Sequence, residues 1–91
     1  MDNIEAVFVE KRNNISVFAI QNTWDEAIAI LKREPYSIFL FKGNTYYYQG
    51  SHLHRSDGPA VEYRKGKPEY WLNGEQLKQK DFFKISKQDS V

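Results

Sequence analysis

The sequence predicts an α+β domain: an antiparallel sheet or meander of about five to seven strands, one amphipathic helix at about 24–34 packed on it, and a short C-terminal helix. Three observations carry that expectation. Two β-branched and aromatic runs near the start flank a short polar break. A helix signature with start and stop signals follows at 23–35. The second half then places a glycine-bearing turn about every eight residues, as a meander requires.

The first runs are Ile4 to Glu10 and Ile15 to Ile20, separated by Lys11-Arg12-Asn13-Asn14; side chains of this kind suit a pleated surface, and the polar break supplies turn chemistry. Thr23 and Glu26 form a capping box, in which each satisfies an orphan donor of the other's backbone. Asp25 and Glu26 suit the positive N-terminal end of the helix dipole, and Lys32 with Arg33 the negative end. Trp24, Ala27, Ile28 and Leu31 recur at helical spacing and predict one apolar stripe for the core. Pro35 pushes Glu34 out of helical geometry and ends the helix. Tyr36 to Phe41 is apolar at nearly every position, which predicts a central strand covered on both faces. Gly43-Asn44 then allows a tight reversal into Thr45 to Tyr48.

Beyond this point the chain repeats itself. Tyr46-Tyr47-Tyr48-Gln49-Gly50-Ser51-His52-Leu53 returns as Tyr70-Trp71-Leu72-Asn73-Gly74-Glu75-Gln76-Leu77, with Asp57 falling on Asp81. Such a repeat is one supersecondary unit that hides its apolar face by pairing with a neighbour. Short strands are expected at 51–55, 60–64 and 69–72. Lys80 to Ile85 reads as the last helix, with Phe82, Phe83 and Ile85 gripping the sheet, and residues 86–91 read as a flexible tail. One domain is therefore expected over 1–85, with a strand-strand-helix-strand half at 1–45 and a hairpin-repeat half at 46–77.

Composition narrows the function. The 91 residues carry 41% hydrophobic and 15% aromatic side chains, too many for a disordered chain. The formal net charge is +1, so no global field draws the protein to a polyanion or a membrane. Residues 1–45 hold five basic and six acidic residues, and residues 46–91 hold eight and six. Cysteine is absent, which removes disulfides, thiolate nucleophiles and thiolate-bound zinc. With no signal-peptide pattern and no apolar run of membrane-spanning length, a cytoplasmic protein is expected.

The run Leu53-His54-Arg55-Ser56-Asp57-Gly58-Pro59-Ala60, followed by Tyr70-Trp71-Leu72-Asn73-Gly74, resembles a variant of the MORN-type β-hairpin repeat found in bacterial and phage proteins. The likeness covers about residues 46–77. It implies a hairpin unit, no enzymatic activity and no defined ligand, and a small phage or bacterial accessory protein as the origin. Here a single full box is followed by an echo that lacks the His-Arg pair and the Gly-Pro.

Candidate sites divide by chemistry. His52, His54 and Asp57 have half of a metal site's spacing, but the chain has no third histidine, so no metal and no cofactor are expected. The alternative role for Asp57 is to tie its own turn, with Arg55 or His54 as hydrogen-bond partner. Ser51 and Ser56 lack a nucleophile-elbow context, and no phosphate-cradling loop is present; an enzyme is not expected. Sheet aromatics beside Arg64, Lys65 and Lys67 suggest a single-stranded nucleic-acid binder as the alternative reading. The favoured expectation is a non-catalytic protein-binding module, an accessory or inhibitor protein that modulates another protein. Its expected contact residues are Tyr47, His52, His54, Arg55, Tyr63 and Trp71, types enriched in interface hot spots. Sheet edges left by short hairpins offer a further route to a partner, a homodimer being the simplest.

Overall fold

The computed structural model describes residues 6–89, with side chains as far as Ile85. Its elements run β1 (Val7–Arg12), β2 (Ile15–Ala19), α1 (Asp25–Leu31), β3 (Tyr36–Phe41), β4 (Asn44–Gln49), β5 (His52–Leu53), β6 (Val61–Glu62), β7 (Tyr70–Leu72), β8 (Glu75–Leu77) and α2 (Gln79–Asp89). This is a small α+β fold with a mixed sheet. Strands β1 to β5 lie side by side in sequence order, β6 joins the outer edge of β4 beside β5, and β7–β8 forms a separate two-stranded sheet.

The β1–β2 hairpin turns on Asn13 and Asn14 alone, both at positive φ (54° and 68°). Asparagine tolerates that region, and two such residues match the twist of the flanking strands. Strand β1 therefore runs on through Lys11 and Arg12, which the composition assigned to the turn. The expected Ile4 start lies outside the described residues. Lys42 and Gly43 make the same kind of turn before β4 (φ 53° and 84°), so Asn44 opens the strand and does not close the turn.

One strand pair departs from the antiparallel expectation. β2 and β3 are parallel, Val17 opposite Ile38 and Phe18 opposite Phe39. The reason is α1, whose crossover returns the chain to the end of the sheet from which β2 began. The helix is also shorter than the sequence suggests. Trp24 is its N-cap residue and makes no side-chain cap bond. Half of the capping box is present: the Glu26 carboxylate accepts N–H bonds from Gln21, Asn22 and Thr23 at 2.8, 2.7 and 3.0 Å. Desolvation pushes the Glu26 carboxyl up, but those three bonds outweigh it and hold the group below its ordinary value. Lys32 is the C-cap and Arg33 lies beyond it, so no basic residue falls in the last turn.

The buried stripe is Ala27 and Ile30, with Trp24 and Leu31 partly buried beside them. Ile28, expected in the stripe, is 42% exposed. The face that packs on the sheet contains Ile30 in place of the expected Ile28.

Strand β3 is covered on both faces, as expected. On one side Phe39 packs with Phe18, Ile20 and α1, and with Trp24, Phe41, Tyr46 and Tyr48 around them. On the other, Ile38 packs with Val17, Tyr47 and Ala60. Alternation along β4 divides the tyrosine triplet between these cores. Ser37 lies on the helix side with its register partner Tyr48 and is the buried polar side chain of the described core.

The repeat folds as two hairpins with different turns. In the first, Gln49 pairs with His52 and the turn is Gly50-Ser51. In the second, Leu72 pairs with Glu75 and the turn is Asn73-Gly74, both at positive φ. The turn has moved by one residue relative to the sequence alignment, so Leu53 faces Tyr48 whereas Leu77 faces Tyr70. Strand β8 was not evident as a strand in the sequence. Helix α2 is anchored by Phe82, 2% exposed, whose ring lies 4.8 Å from that of Tyr70. Phe83 is 43% exposed but its ring still meets that of Tyr70 at 5.5 Å, whereas Ile85 is 40% exposed. The helix continues to Asp89, through residues read as tail.

Candidate functional site

The His-Arg-x-Asp-Gly-Pro-Ala segment (54–60) joins the two hairpins. Leu53 O accepts the Gly74 N–H at 2.9 Å and the Trp71 carbonyl accepts the Arg55 N–H at 3.1 Å. His54 Nδ1 accepts the Asn73 N–H at 3.0 Å. His52 packs so close to Gly74 that a Cβ there would sit 2.8 Å from its ring nitrogen. The box and the Asn-Gly turn, far apart in sequence, are thus two halves of one junction. Pro59 precedes Ala60, which is fully buried against Ile38 and Tyr47.

Arg55 is the centre of that junction. Its guanidinium carbon lies 4.1 Å from the centre of the Tyr47 ring. Nε donates to Asp57 Oδ1 at 2.8 Å, and Nη1 donates to the Pro59 carbonyl at 3.2 Å and Glu62 Oε2 at 3.3 Å. Of the two partners expected for Asp57, the structure has Arg55; His54 is engaged with Asn73. Among the described residues no group of three His, Cys, Asp or Glu side chains is arranged to hold a metal ion.

The expected contact residues do not form one surface. Tyr47 is 8% exposed, so its ring is a core element and not a contact ring: alternation along β4 turns it under Arg55, and its hydroxyl accepts from Arg12 Nη1 at 3.1 Å. Tyr63 and Trp71 gather around Glu69, which accepts the Tyr63 hydroxyl at 2.8 Å and the Trp71 indole N–H at 2.9 Å. Arg64, Lys65 and Lys67 lie in the exposed loop after β6. Arg64 lies over the Lys42-Gly43 turn, where a Cβ on Gly43 would meet it at 2.8 Å. Tyr46, Tyr47 and Tyr48 all point into the cores; Tyr63 is the exposed ring near these bases.

A concave site does form around Tyr47. A cleft of about 370 Å³ is lined by Ile15, Ile38 and Tyr47, with polar groups of Arg12, Asn13, Ser37 and residues 54–57 and the rings of Tyr36 and Tyr48 around them. Its size is at the low end for small-ligand sites. Three of the expected residues, Tyr47, His54 and Arg55, meet here. Arg12 and Tyr36 were not anticipated, because Arg12 reaches the cleft from a hairpin 35 positions away.

Burial lowers the pKa of His54, and its Nδ1 can accept the Asn73 N–H only while unprotonated. The unfolded chain therefore takes up this proton before the folded one. The stability carried by neutral His54 is fully present above about pH 6.5 and is lost as pH falls through the lower folded value. The urea midpoint should fall more between pH 7.5 and 5.5 in the native protein than in His54→Asn. An equal fall in both would contradict the role given to the Asn73 bond.

No protein-family model, no curated protein and no solved structure matches this chain. No helix among the described residues is long and apolar enough to cross a membrane.

Proposed function

We propose that this chain is a non-catalytic protein-binding module that docks a partner along the free edge of β1 and modulates that partner. One observation carries the reading: Val7, Phe8 and Val9 are 52%, 54% and 48% exposed, consecutive, and on the edge strand of the sheet. Among the described residues no strand pairs with the outer side of β1. An unpaired strand with apolar side chains on both faces is a template for an added strand, in which main-chain bonds give affinity and side-chain pockets give specificity. The register break between Phe8 and Glu10 and the charged run Glu10-Lys11-Arg12 confine the open template to the first half of the strand.

Packing of the Tyr46–Tyr48 triplet against the two cores, with Tyr47 buried and its neighbours partly so, weighs against the alternative of single-stranded nucleic acid. Stacking platforms need open rings beside the basic residues, and Tyr63 alone beside Arg64, Lys65 and Lys67 is a poor platform. That the protein is a phage or bacterial accessory or inhibitor factor rests on the repeat resemblance alone. A homodimer through β1 is the simplest version of the docking.

The test is capture of host proteins with nuclease present, together with sedimentation over a concentration range. A nuclease-resistant partner, or a dimer, should be lost in the Val7→Lys/Val9→Lys variant and kept in Arg64→Ala/Lys65→Ala/Lys67→Ala. Recovery that disappears with nuclease, or survives the β1 changes, would overturn the proposal.

A further inference from the structure

We propose that Asn73 is a site of spontaneous deamidation, held off by the junction between the two hairpins and released when that junction opens. Water is the only co-reactant. The Gly74 backbone nitrogen loses its proton to solvent base and attacks Asn73 Cγ. The new C–N bond closes an imide ring, the Cγ–Nδ2 bond breaks, and ammonia leaves. Water then opens the ring at either carbonyl, giving aspartate or, with the chain rerouted through the side chain, isoaspartate. An asparagine followed by glycine is the most exposed to this attack, because glycine has no side chain to shield its nitrogen. The chain contains that pair once: Asn3, Asn13, Asn14, Asn22 and Asn44 precede Ile4, Asn14, Ile15, Thr23 and Thr45. Asn73 is itself exposed, so solvent reaches it.

The closed junction restrains each part of that attack. The Gly74 N–H donates to the Leu53 carbonyl at 2.9 Å, which engages the proton that must leave. His52 covers Gly74 so closely that a Cβ there would sit 2.8 Å from its Nδ1. The Asn73 N–H donates to His54 Nδ1 at 3.0 Å, and pairing of Leu72 with Glu75 holds both turn residues at positive φ. To bring the nitrogen's face to Cγ, the chain must rotate about the Asn73 Cα–C bond, and that rotation breaks the turn. Asp57-Gly58 is the internal contrast. It could close the same imide with loss of water, but its carboxylate is paired with Arg55 Nε at 2.8 Å, and a carboxylate is a poorer electrophile than an amide. The product acts back on the junction. Isoaspartate lengthens the backbone by a methylene, so a two-residue turn no longer spans Leu72 to Glu75 and the Leu53–Gly74 bond loses its register. An opening that ends in reaction is therefore one-way.

The experiment incubates the full chain at mildly alkaline pH and follows each asparagine by peptide mapping that separates the amide, aspartate and isoaspartate forms. The native protein is compared with the same chain unfolded in guanidinium chloride. Asn73 should be the fastest asparagine to convert in the unfolded chain. In the native protein it should convert at least about tenfold more slowly, as for any reaction confined to a transiently open form. Arg55→Ala and His54→Ala each remove a tie of the junction, and whichever is folded by circular dichroism should convert severalfold faster than the native protein. Converted molecules should lose hydrogen-exchange protection at the Arg55 and Gly74 amides. Equal rates in folded and unfolded chain, another asparagine reacting first in the unfolded chain, or a native rate in a folded junction variant would overturn the proposal. Val7→Lys/Val9→Lys should leave the rate unaltered, so failure of the edge proposal and failure of this one are distinguishable.

Discussion

Phe39→Ala is expected to remove about 3–5 kcal/mol of stability, the usual cost of a cavity left by a fully buried phenylalanine. Phe39 has no exposed surface, and its ring meets those of Trp24, Tyr48 and Phe18 at 5.6, 5.8 and 6.2 Å. Helix α1 rests on that cluster through Trp24, Ala27 and Ile30. Because a domain of this size holds only about 5–15 kcal/mol in total, the variant should lose a large part of its folding margin. Urea denaturation followed by tryptophan fluorescence reads the effect directly. Ile28→Ala is the internal comparison: on the exposed side of the same helix, it should cost far less. Equal losses at Phe39 and Ile28 would mean that the helix presents a different face to the sheet.

Arg55→Ala should be the next most damaging change, at about 2–4 kcal/mol, since it removes a stacked cation and its charge-assisted bonds together. It strips the cover from Tyr47 and releases Asp57, Glu62 and the Pro59 carbonyl. The 54–60 segment loses its central tie, and with it the contact between the two hairpins. Lysine should restore only part of the loss, because one ammonium cannot satisfy three acceptors and a ring in the same geometry. Native-state hydrogen exchange is the informative readout. Protection should drop first at the Arg55, Ala60, Glu69 and Gly74 amides, whose bonds link the hairpins, while β3 keeps its protection. Uniform loss across β2, β3 and β4 would show that the junction and the main sheet are one cooperative unit.

Several features were legible without coordinates because their causes are local. The Asn13-Asn14 reversal, the doubly covered β3 and the presence of α1 follow from turn chemistry, apolar continuity and helix signals read over a few residues. The link between Arg55 and Asp57 was legible for the same reason, as the two are neighbours in one turn. Strands β5 and β6 were placed but overestimated in length, since each shares the outer edge of β4 and only two residues of each reach it.

Features that depend on distant partners were not legible. Ile28 and Ile30 are both compatible with a helical stripe, and the choice needs the position of Phe39. Tyr47 has the composition of a contact residue, yet strand alternation together with Arg12, 35 positions away, makes it the base of a cleft. The repeat itself does not reveal that its second copy turns one residue earlier, because Asn73-Gly74 adopts two positive φ angles where Gly50 alone does so in the first. By itself, then, the sequence determined the α+β class, the helix on the sheet and the turns, all consequences of short-range sterics and hydrophobic spacing. Only the tertiary structure decided the parallel β2–β3 pair, the exposed apolar edge of β1 and the cleft over Tyr47, since each depends on groups that chain folding alone brings together.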